Sequence, residues 1–157
     1  MTTVVRKATI NDLEAYLPMA RTFFETTSFS KVVDFDPKGF GEFYINALQN
    51  PNIGVWIAEH DGVAIGIAGA LCYPMYFNPA YVAAQEIWWW LEPGARGKGA
   101  GQLMYQQIQN WAHERGAKSL IMVALENEKT NQFVRLYARQ GFKPMERNFF
   151  KEIAKWH

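Results

Sequence analysis

Residues 86–101 read EIWWWLEPGARGKGAG, and this stretch decides the fold. It opens as an apolar run with three consecutive tryptophans and closes in a turn that holds four glycines in eight residues. Residues 83–91 are apolar on both faces after Glu86, which predicts a central strand covered on both sides. Past the turn, apolar residues recur at helical spacing, as Met104, Ile108, Trp111 and Ala112. The stretch therefore predicts a buried strand, a glycine-rich turn and an amphipathic helix in succession.

The glycine-rich turn, Arg96 to Gly101, has the properties of an anion-binding site. The first N–H groups of a helix have no partner inside the helix, and glycines let a backbone approach a ligand closely. Such N–H groups at the positive end of a helix dipole suit a phosphate. Arg96 and Lys98 add two positive charges. The sequence predicts a phosphate-binding turn, and the alternative is a flexible turn that only reverses the chain.

Three phosphate-binding motifs can be compared with this turn. The Walker A pattern GxxxxGK[ST] is absent, which argues against a nucleoside triphosphatase. The Rossmann pattern GxGxxG fails because Gln102 occupies the position of its last glycine. The pattern [RQ]xxGx[GA] is satisfied by Arg96, Gly99 and Gly101. A small nucleotide-binding domain of the first two classes is therefore disfavoured.

The third pattern lies within a longer resemblance. Residues 90–117, WLEPGARGKGAGQLMYQQIQNWAHERGA, and residues 133–144, FVRLYARQGFKP, resemble the GNAT superfamily of acetyl-CoA-dependent N-acetyltransferases. The resemblance covers almost the whole chain, from the ATINDLEAYLPMA opening at residues 8–20. It implies an α/β (α+β mixed-sheet) fold, whose central, mostly antiparallel sheet has six to seven strands flanked by about four helices. It also implies transfer of the acetyl group of acetyl-CoA to a primary amine, by direct attack in a ternary complex.

The resemblance further implies a set of coenzyme-binding residues. In the family the glycine-rich turn holds the pyrophosphate of coenzyme A, and the strand before it holds the pantetheine arm where the next strand splays away. Many relatives carry an asparagine seven residues before a motif tyrosine, and here that position is Thr130, with Asn131 beside it. The coenzyme-binding residues implied for this chain are Trp89, Trp90, Leu91, Arg96, Gly97, Lys98, Gly99, Ala100, Gly101 and Asn131.

Acetyl transfer also requires a base. A free alkyl amine has a pKa of about 10.4 and must lose a proton before it attacks a thioester. Glu86 is the candidate base, directly or through water, because it is the only acidic residue inside the buried strand. Two-residue alternation is expected to place Trp88 and Trp90 on its face, and an apolar environment would raise its pKa. The alternative is that Glu86 pairs with an arginine or binds the substrate.

Tyr137 is the candidate acid for the leaving thiolate. It belongs to the motif LYxxxGF at residues 136–142, and the resemblance places its hydroxyl near the thioester sulfur. The alternative is a core tyrosine that only packs its ring. The developing oxyanion needs a backbone N–H in a dry site, and the Trp90–Leu91 segment is expected to supply it.

The rest of the pattern predicts one domain over residues 1–157. The expected order is strand, two helices, strand hairpin, strand, helix, strand, helix and a final strand or hairpin. Asp61-Gly62 suits a type I′ turn in the hairpin, and Pro18 is expected to kink or shorten the first helix. The expected strands are 4–7, 53–60, 63–72, 83–91, 118–125 and 142–153, with a loop at 73–81.

Composition narrows the classes of partner. The formal net charge is +1, so no large field draws the chain to nucleic acid or to an anionic membrane. No run of 18 apolar residues exists and the N-terminus lacks an apolar signal core, so a cytoplasmic protein is expected. Cys72 is the only cysteine and the three histidines are far apart, so no metal site is expected.

The acceptor is left open among a small amine, an amino acid, an antibiotic, and a protein N-terminus or lysine. Two aromatic-rich loops, 28–35 and 73–81, are expected to form its surface, and exposed aromatic residues could serve a homodimer. A second class of function is a non-catalytic protein of the same fold that binds coenzyme A as a sensor or scaffold. The presence of both Glu86 and Tyr137 argues against it.

Overall fold

The fold is built on a five-stranded sheet with helices on both faces. The computed structural model describes residues 2–153. Its strands are β1 (Thr3–Lys7), β2 (Ile53–His60), β3 (Val63–Met75), β4 (Asn78–Leu91) and β5 (Ser119–Ile121). Its helices are α1 (Leu13–Glu25), α2 (Pro37–Gln49), α3 (Ala100–Glu114) and α4 (Thr130–Arg139). The α/β mixed-sheet class expected from the sequence is confirmed.

The strands lie side by side in the order of the sequence. β1 to β4 are antiparallel neighbours, and β5 lies parallel to β4. Asp61 and Gly62, between β2 and β3, have φ angles of 49° and 81°, as a type I′ turn requires. α2 begins after Asp36, whose carboxylate accepts the N–H of Gly39 at 3.0 Å. The local signals at these two sites are sufficient to set the structure.

Two apolar clusters fill the two faces of the sheet. The cluster under α1 and α2 includes Tyr16, Tyr44, Ile57, Ile67 and Trp88. The cluster under α3 includes Trp56, Ala68, Met104, Ile108 and Trp111. β4 contributes side chains to both clusters, which agrees with the prediction of a central strand covered on both sides.

The strand count differs from the expected six to seven, since five strands are present in residues 2–153. Residues 142–153 have no regular secondary structure, and β5 has three residues in place of the expected 118–125. The side chains of Phe149 and Ile153 are 89% and 94% exposed. A strand is stabilised by burying one face, and these residues of the segment bury little.

Two segments with proline are more regular than predicted. The expected loop at 73–81 is instead the end of the β3–β4 hairpin, where Pro74 pairs with Val82. β2 pairs with β3 only as far as Leu71, so the missing N–H of Pro74 breaks no bond to β2. α1 likewise continues through Pro18 to Glu25, so Pro18 does not shorten it.

Trp88 anchors β4 to the α1 side of the sheet. Its Nε1 donates a hydrogen bond to the hydroxyl of Tyr16 at 2.6 Å, and that hydroxyl donates to the carbonyl of Ala68 at 3.0 Å. The indole ring lies across Gly69, its partner on β3, so closely that a Cβ there would come within 3.0 Å of the ring. The size of Trp88 therefore requires a glycine opposite.

Replacing Gly69 with alanine tests this packing. We expect Gly69→Ala to lower the free energy of unfolding by about 1–3 kcal/mol, because the ring is buried and held by its hydrogen bond. Urea unfolding measures the change. Gly94→Ala is the matched control, since nothing lies within 4 Å of a Cβ at Gly94. Equal stability of the two variants would contradict the packing.

Candidate active site

β4 and β5 separate at the level of Glu86. Their parallel pairing covers residues 83–85 of β4 and 119–121 of β5, whereas β4 continues to Leu91. Beyond Gln85, no strand within residues 2–153 pairs with this edge of β4. The splay that the resemblance implied is therefore present, and it leaves an open strand edge.

The backbone of β4 presents hydrogen-bonding groups to this open edge. The N–H of Glu92 donates to the carbonyl of Ile65 at 2.8 Å, toward β3. Because backbone groups of successive residues point to opposite sides of a strand, the N–H of Leu91 points toward the open edge. Leu91 is one of the two residues expected to supply an oxyanion donor.

One extra residue in β4 interrupts the alternation of its side chains. Glu86 pairs with Ala70 on β3, and Trp88 pairs with the preceding residue, Gly69. Ile87 lies between them without a partner, which makes this a β-bulge. The bulge shifts the rest of β4 by one position, so that each later side chain changes face.

The bulge corrects one sequence prediction. Trp88 and Trp90 pack in the cluster under α1 and α2, whereas Glu86 lies opposite Ala70, which packs in the cluster under α3. The prediction that Trp88 and Trp90 share the face of Glu86 is therefore wrong. Trp89 lies on that side instead, because strict alternation does not survive a one-residue insertion.

Glu86 is the one buried charged residue within residues 2–153, with 4% of its surface exposed. Its Oε2 accepts a hydrogen bond from the N–H of Val123 at 3.2 Å. Burial raises the pKa of Glu86 from its ordinary value of 4.5 to about 8, and the bond from Val123 opposes this rise. The carboxyl group can thus exchange a proton near neutral pH.

Tyr137 also binds the backbone of Val123, the residue whose N–H is bound by Glu86. It lies on α4 with 9% of its surface exposed, and its hydroxyl donates to the carbonyl of Val123 at 2.9 Å. Burial, and then the charge of Glu86, raise the pKa of Tyr137. The phenol therefore keeps its proton at neutral pH. The two candidate residues meet across the backbone of Val123.

A cavity of about 300 Å³ extends from Tyr137 to the glycine-rich turn. Seven residues that the sequence predicted line it together: Trp89, Leu91, Arg96, Gly97, Gly99, Gly101 and Tyr137. The ring of Trp89 is stacked near that of Tyr137, with centroids 6.4 Å apart. The cavity thus joins the predicted anion site to one of the two candidate catalytic side chains.

The turn itself presents free backbone donors. Gly97 and Gly99 have φ angles of 76° and 92°, in the left-handed region that favours glycine. Within residues 2–153, none of the backbone N–H groups from Gly97 to Gln102 donates a hydrogen bond to the protein. These donors precede and begin α3, which is an arrangement suited to an anion, and anion binding at the turn stays a prediction.

Arg96 links the turn to the end of β4. Its Nε donates to the carbonyl of Leu91 at 2.9 Å, and its guanidinium lies 4.8 Å from the ring centroid of Trp90. The Trp90 ring faces the α1–α2 cluster and does not line the cavity. The alternation that directs the N–H of Leu91 toward the open edge directs the backbone N–H and C=O of Trp90 toward β3, so neither its ring nor its backbone faces the cavity.

Three other predicted coenzyme-binding residues lie outside the cavity lining, namely Lys98, Ala100 and Asn131, and the predicted base Glu86 does not line it either. Lys98 and Asn131 are exposed, and Ala100 is buried at the first position of α3. Thr130, the residue at the family's asparagine position, has a local role. Its hydroxyl donates to the carbonyl of Leu125 at 2.7 Å and accepts the N–H of Asn127 at 2.8 Å.

Sequence reasoning missed four residues of the lining: Gln102, Tyr105, Leu136 and Gln140. Gln140 Nε2 donates to Gln102 Oε1 at 3.4 Å, which connects α4 to α3 at the cavity. Residues 102 and 105 are three positions apart and residues 136 and 140 are four apart, so each pair lies on one face of its helix. This spacing was the only sign of these residues in the sequence. The sequence alone did not show which face meets the cavity.

The two loops expected to bind the acceptor have different structures. Residues 73–81 form a hairpin end at which Tyr76 and Phe77 are 76% and 84% exposed. Residues Ser28–Lys31 form a short 3-10 helix, where Phe29 meets Phe150 edge to face with centroids 5.2 Å apart.

No helix among the described residues is long and apolar enough to span a membrane. No metal-binding cluster of His, Cys, Asp or Glu is found in residues 2–153.

Comparisons with known proteins agree with this geometry. The family model described as "Acetyltransferase (GNAT) family" matches residues 18–142. No protein of curated function matches significantly. The fold is similar to that of a transcriptional regulator from Bacillus halodurans C-125, with 18% identity, a TM-score of 0.78, and coverage of 97% of this chain and 100% of that chain.

Two further solved structures share the fold. One is AAC(6')-Iy in complex with a bisubstrate analogue, CoA-S-monomethyl-acetylneamine, with 21% identity, a TM-score of 0.76, and coverage of 99% of this chain and 100% of that one. The other is a predicted acetyltransferase with acetyl-CoA from Clostridium acetobutylicum, with 22% identity, a TM-score of 0.75, and coverage of 96% of each chain.

The buried Glu86 predicts a pH-dependent stability. The folded carboxyl group keeps its proton up to a pH of about 8, whereas the unfolded chain releases it near 4.5, so the folded state binds more protons between these values. Each rise in pH within this window therefore lowers the free energy of unfolding. The contribution of Glu86 should fall by about 3–5 kcal/mol across the window.

Glu86→Gln should remove this contribution. We expect the variant to gain stability relative to the parent as pH rises from 5 to 9, measured by urea unfolding at each pH. Glu42→Gln, at an exposed position on α2, is the control and should follow the parent at every pH. A constant difference between Glu86→Gln and the parent would show that Glu86 is ionised throughout.

Proposed function

The chain belongs to the acetyltransferase (GNAT) family, and we propose that it is an N-acetyltransferase that moves the acetyl group of acetyl-CoA to a primary amine. The observation that carries the proposal is the bridge at Val123. Its N–H binds the carboxyl of Glu86 and its carbonyl binds the hydroxyl of Tyr137. A candidate base and a candidate acid are thus held at the opening between β4 and β5.

Acetyl-CoA would occupy the cavity between the glycine-rich turn and Tyr137. The free N–H groups of residues 97–102 would bind the pyrophosphate, and Arg96 would add positive charge. The pantetheine arm would lie along the open edge of β4, where the N–H of Leu91 has no opposing strand among the described residues. Binding there would bring the thioester close to Tyr137, which lines the cavity.

Glu86 would remove the proton of the acceptor ammonium, directly or through water. With a pKa of about 8, it is a much stronger base than an ordinary carboxylate. Its burial leaves little space for a bulky acceptor at the carboxyl itself. The neutral amine then attacks the thioester carbonyl, and the N–H of Leu91 stabilises the developing oxyanion.

As the C–S bond breaks, Tyr137 would donate a proton to the leaving thiolate, and the amine nitrogen, which loses its second proton as the amide forms, would return one to the phenol. Its hydroxyl keeps its proton, since its pKa is raised, and it must exchange the Val123 carbonyl for the sulfur. Direct transfer within a ternary complex is supported by one structural neighbour, which binds a bisubstrate analogue built on coenzyme A. Neither step needs a covalent intermediate on the protein.

The alternative is a non-catalytic protein that binds coenzyme A as a sensor or scaffold. One structural neighbour is described as a transcriptional regulator, and at 18% identity this likeness extends only to the fold. A scaffold would gain nothing from a buried carboxyl group, which lowers stability at neutral pH. The presence of Glu86 beside Tyr137 therefore favours the enzyme.

Release of free thiol from acetyl-CoA tests the proposal. The protein is incubated with acetyl-CoA and a panel of small amines, amino acids, aminoglycosides and peptides, and the product is identified by mass spectrometry. We expect acetyl-CoA to raise the Tm, and at least one amine to stimulate thiol release. Stabilisation without turnover on any acceptor would support the scaffold, and stabilisation by ATP instead would contradict both.

Tyr137→Phe separates catalysis from binding in the same assay. We expect kcat to fall roughly 10²-fold, because the variant loses the donor to the thiolate, while the Kd for acetyl-CoA changes little. Tyr44→Phe, at a tyrosine of α2 whose hydroxyl donates to the carbonyl of Thr9 and which does not line the cavity, is the control and should keep full activity. An unchanged kcat in Tyr137→Phe would remove the acid role.

Glu86→Gln tests the base through the pH–rate profile. In the parent we expect kcat/KM to rise with pH and to level off above about 8, because the carboxyl group must be ionised to accept a proton. The variant should lose this inflection and fall roughly 10²-fold at pH 8. A profile with the same inflection in both proteins would assign the base role elsewhere.

A further inference from the structure

A second cavity lies at the far end of α3 and has no role in the proposed reaction. Its volume is about 400 Å³, and it lies where β1, α2 and α3 all end. None of its lining residues lines the cavity at the glycine-rich turn. α3 separates the two, since about 20 Å of helix runs from Gln102 to Arg115. The second cavity is therefore a distinct place on the molecule.

Two cationic residues line this cavity, and no acidic residue does. Lys7 Nζ lies 4.4 Å from the ring centroid of Trp56 and 5.1 Å from that of Trp111. The ammonium group makes no ion pair with any described residue. Arg115 Nη2 donates to Asn52 Oδ1 at 3.3 Å, which leaves its other N–H groups free for a ligand.

The charges around the cavity leave a positive excess. Burial lowers the pKa of Lys7, the charge of Glu114 opposes this change, and Arg115 lowers the pKa further. Glu114 is exposed and does not line the cavity. The C-terminal ends of α2 and α3 each contribute a partial charge of about −0.5, and together they do not balance two full cations. Like charges that face one cavity are stabilised by an anion between them.

The remaining walls suit an apolar body. Leu48, Ile53, Val55 and Trp111 are apolar residues of the lining, and Gln49 and Asn50 are polar ones. The volume falls within the range of small-molecule sites, roughly 300–1,000 Å³.

We propose that this cavity binds a small organic anion, with a carboxylate between Lys7 and Arg115 and an apolar body against Trp111. The carboxylate accepts charge-assisted hydrogen bonds from the ammonium and the guanidinium groups. The body of the ligand covers the walls formed by Leu48 and Ile53. This site does not depend on the proposed acetyl transfer, and its test uses neither coenzyme nor acceptor.

Benzoate and benzamide form a matched pair of probes, because they share the ring and differ in the charge. The readout is the indole ¹H–¹⁵N resonance of Trp111, assigned with Trp111→Phe and followed during titration of the full chain. We expect benzoate to shift this resonance with saturation, and benzamide to leave it in place. Inorganic phosphate, which has no apolar body, should bind more weakly than benzoate.

Three variants test the assignment. Lys7→Met keeps the apolar stem and should weaken benzoate binding roughly 10-fold, as should Arg115→Met. Lys38→Met, at the opposite end of α2, is the control and should bind like the parent. Equal shifts by benzoate and benzamide, no saturable shift by benzoate, or unchanged binding in Lys7→Met would each overturn the proposal. Circular dichroism confirms that every variant is folded.

Discussion

A single unpaired residue in β4 organises the site. The bulge at Ile87 moves Trp89 to the side of the sheet that holds Glu86 and leaves Trp88 on the other side. Without it, strict alternation would direct Trp88 toward Glu86 and would remove Trp89 from the cavity. Bulges are common next to active sites because they reorient side chains without ending the strand. Here the bulge stands where β5 stops, so the strand edge opens at the same level.

The separation of β4 from β5 explains how a carboxyl group is tolerated in the core. Gln85 is the last residue of β4 that pairs with β5. Glu86 follows it, and its carboxyl group accepts a hydrogen bond from the N–H of Val123. That single bond does not compensate for burial, so the pKa of Glu86 remains about 8. A residue that lowers stability at neutral pH and lies beside a cavity is typical of a functional site. The arrangement lowers stability and provides a carboxyl group that exchanges a proton near neutral pH.

The three tryptophans have three different environments. Trp88 donates a hydrogen bond to Tyr16 under α1, and Trp89 stacks near Tyr137 in the cavity. The ring of Trp90 makes a cation–π contact with the guanidinium of Arg96. Aliphatic residues would fill the same core, but they would not provide the N–H of Trp88 or the ring faces of the other two. Each of the three tryptophans therefore makes a different contact that an aliphatic residue could not make.

The sequence by itself determined the fold class, the hairpin turn at Asp61-Gly62 and most of the helices. Local signals were sufficient wherever one residue fixes the backbone, as at Gly62, or wherever apolar spacing matches the helical period, as in α3. The sequence also singled out Glu86 and Tyr137 as candidate catalytic residues, although nothing in it showed that both bind Val123. Tertiary structure alone decided the bulge, the irregular segment 142–153 and the cavity residues Gln102 and Gln140. Each of these depends on which strand or helix lies opposite, and side-chain spacing along one chain contains no information about a partner distant in sequence.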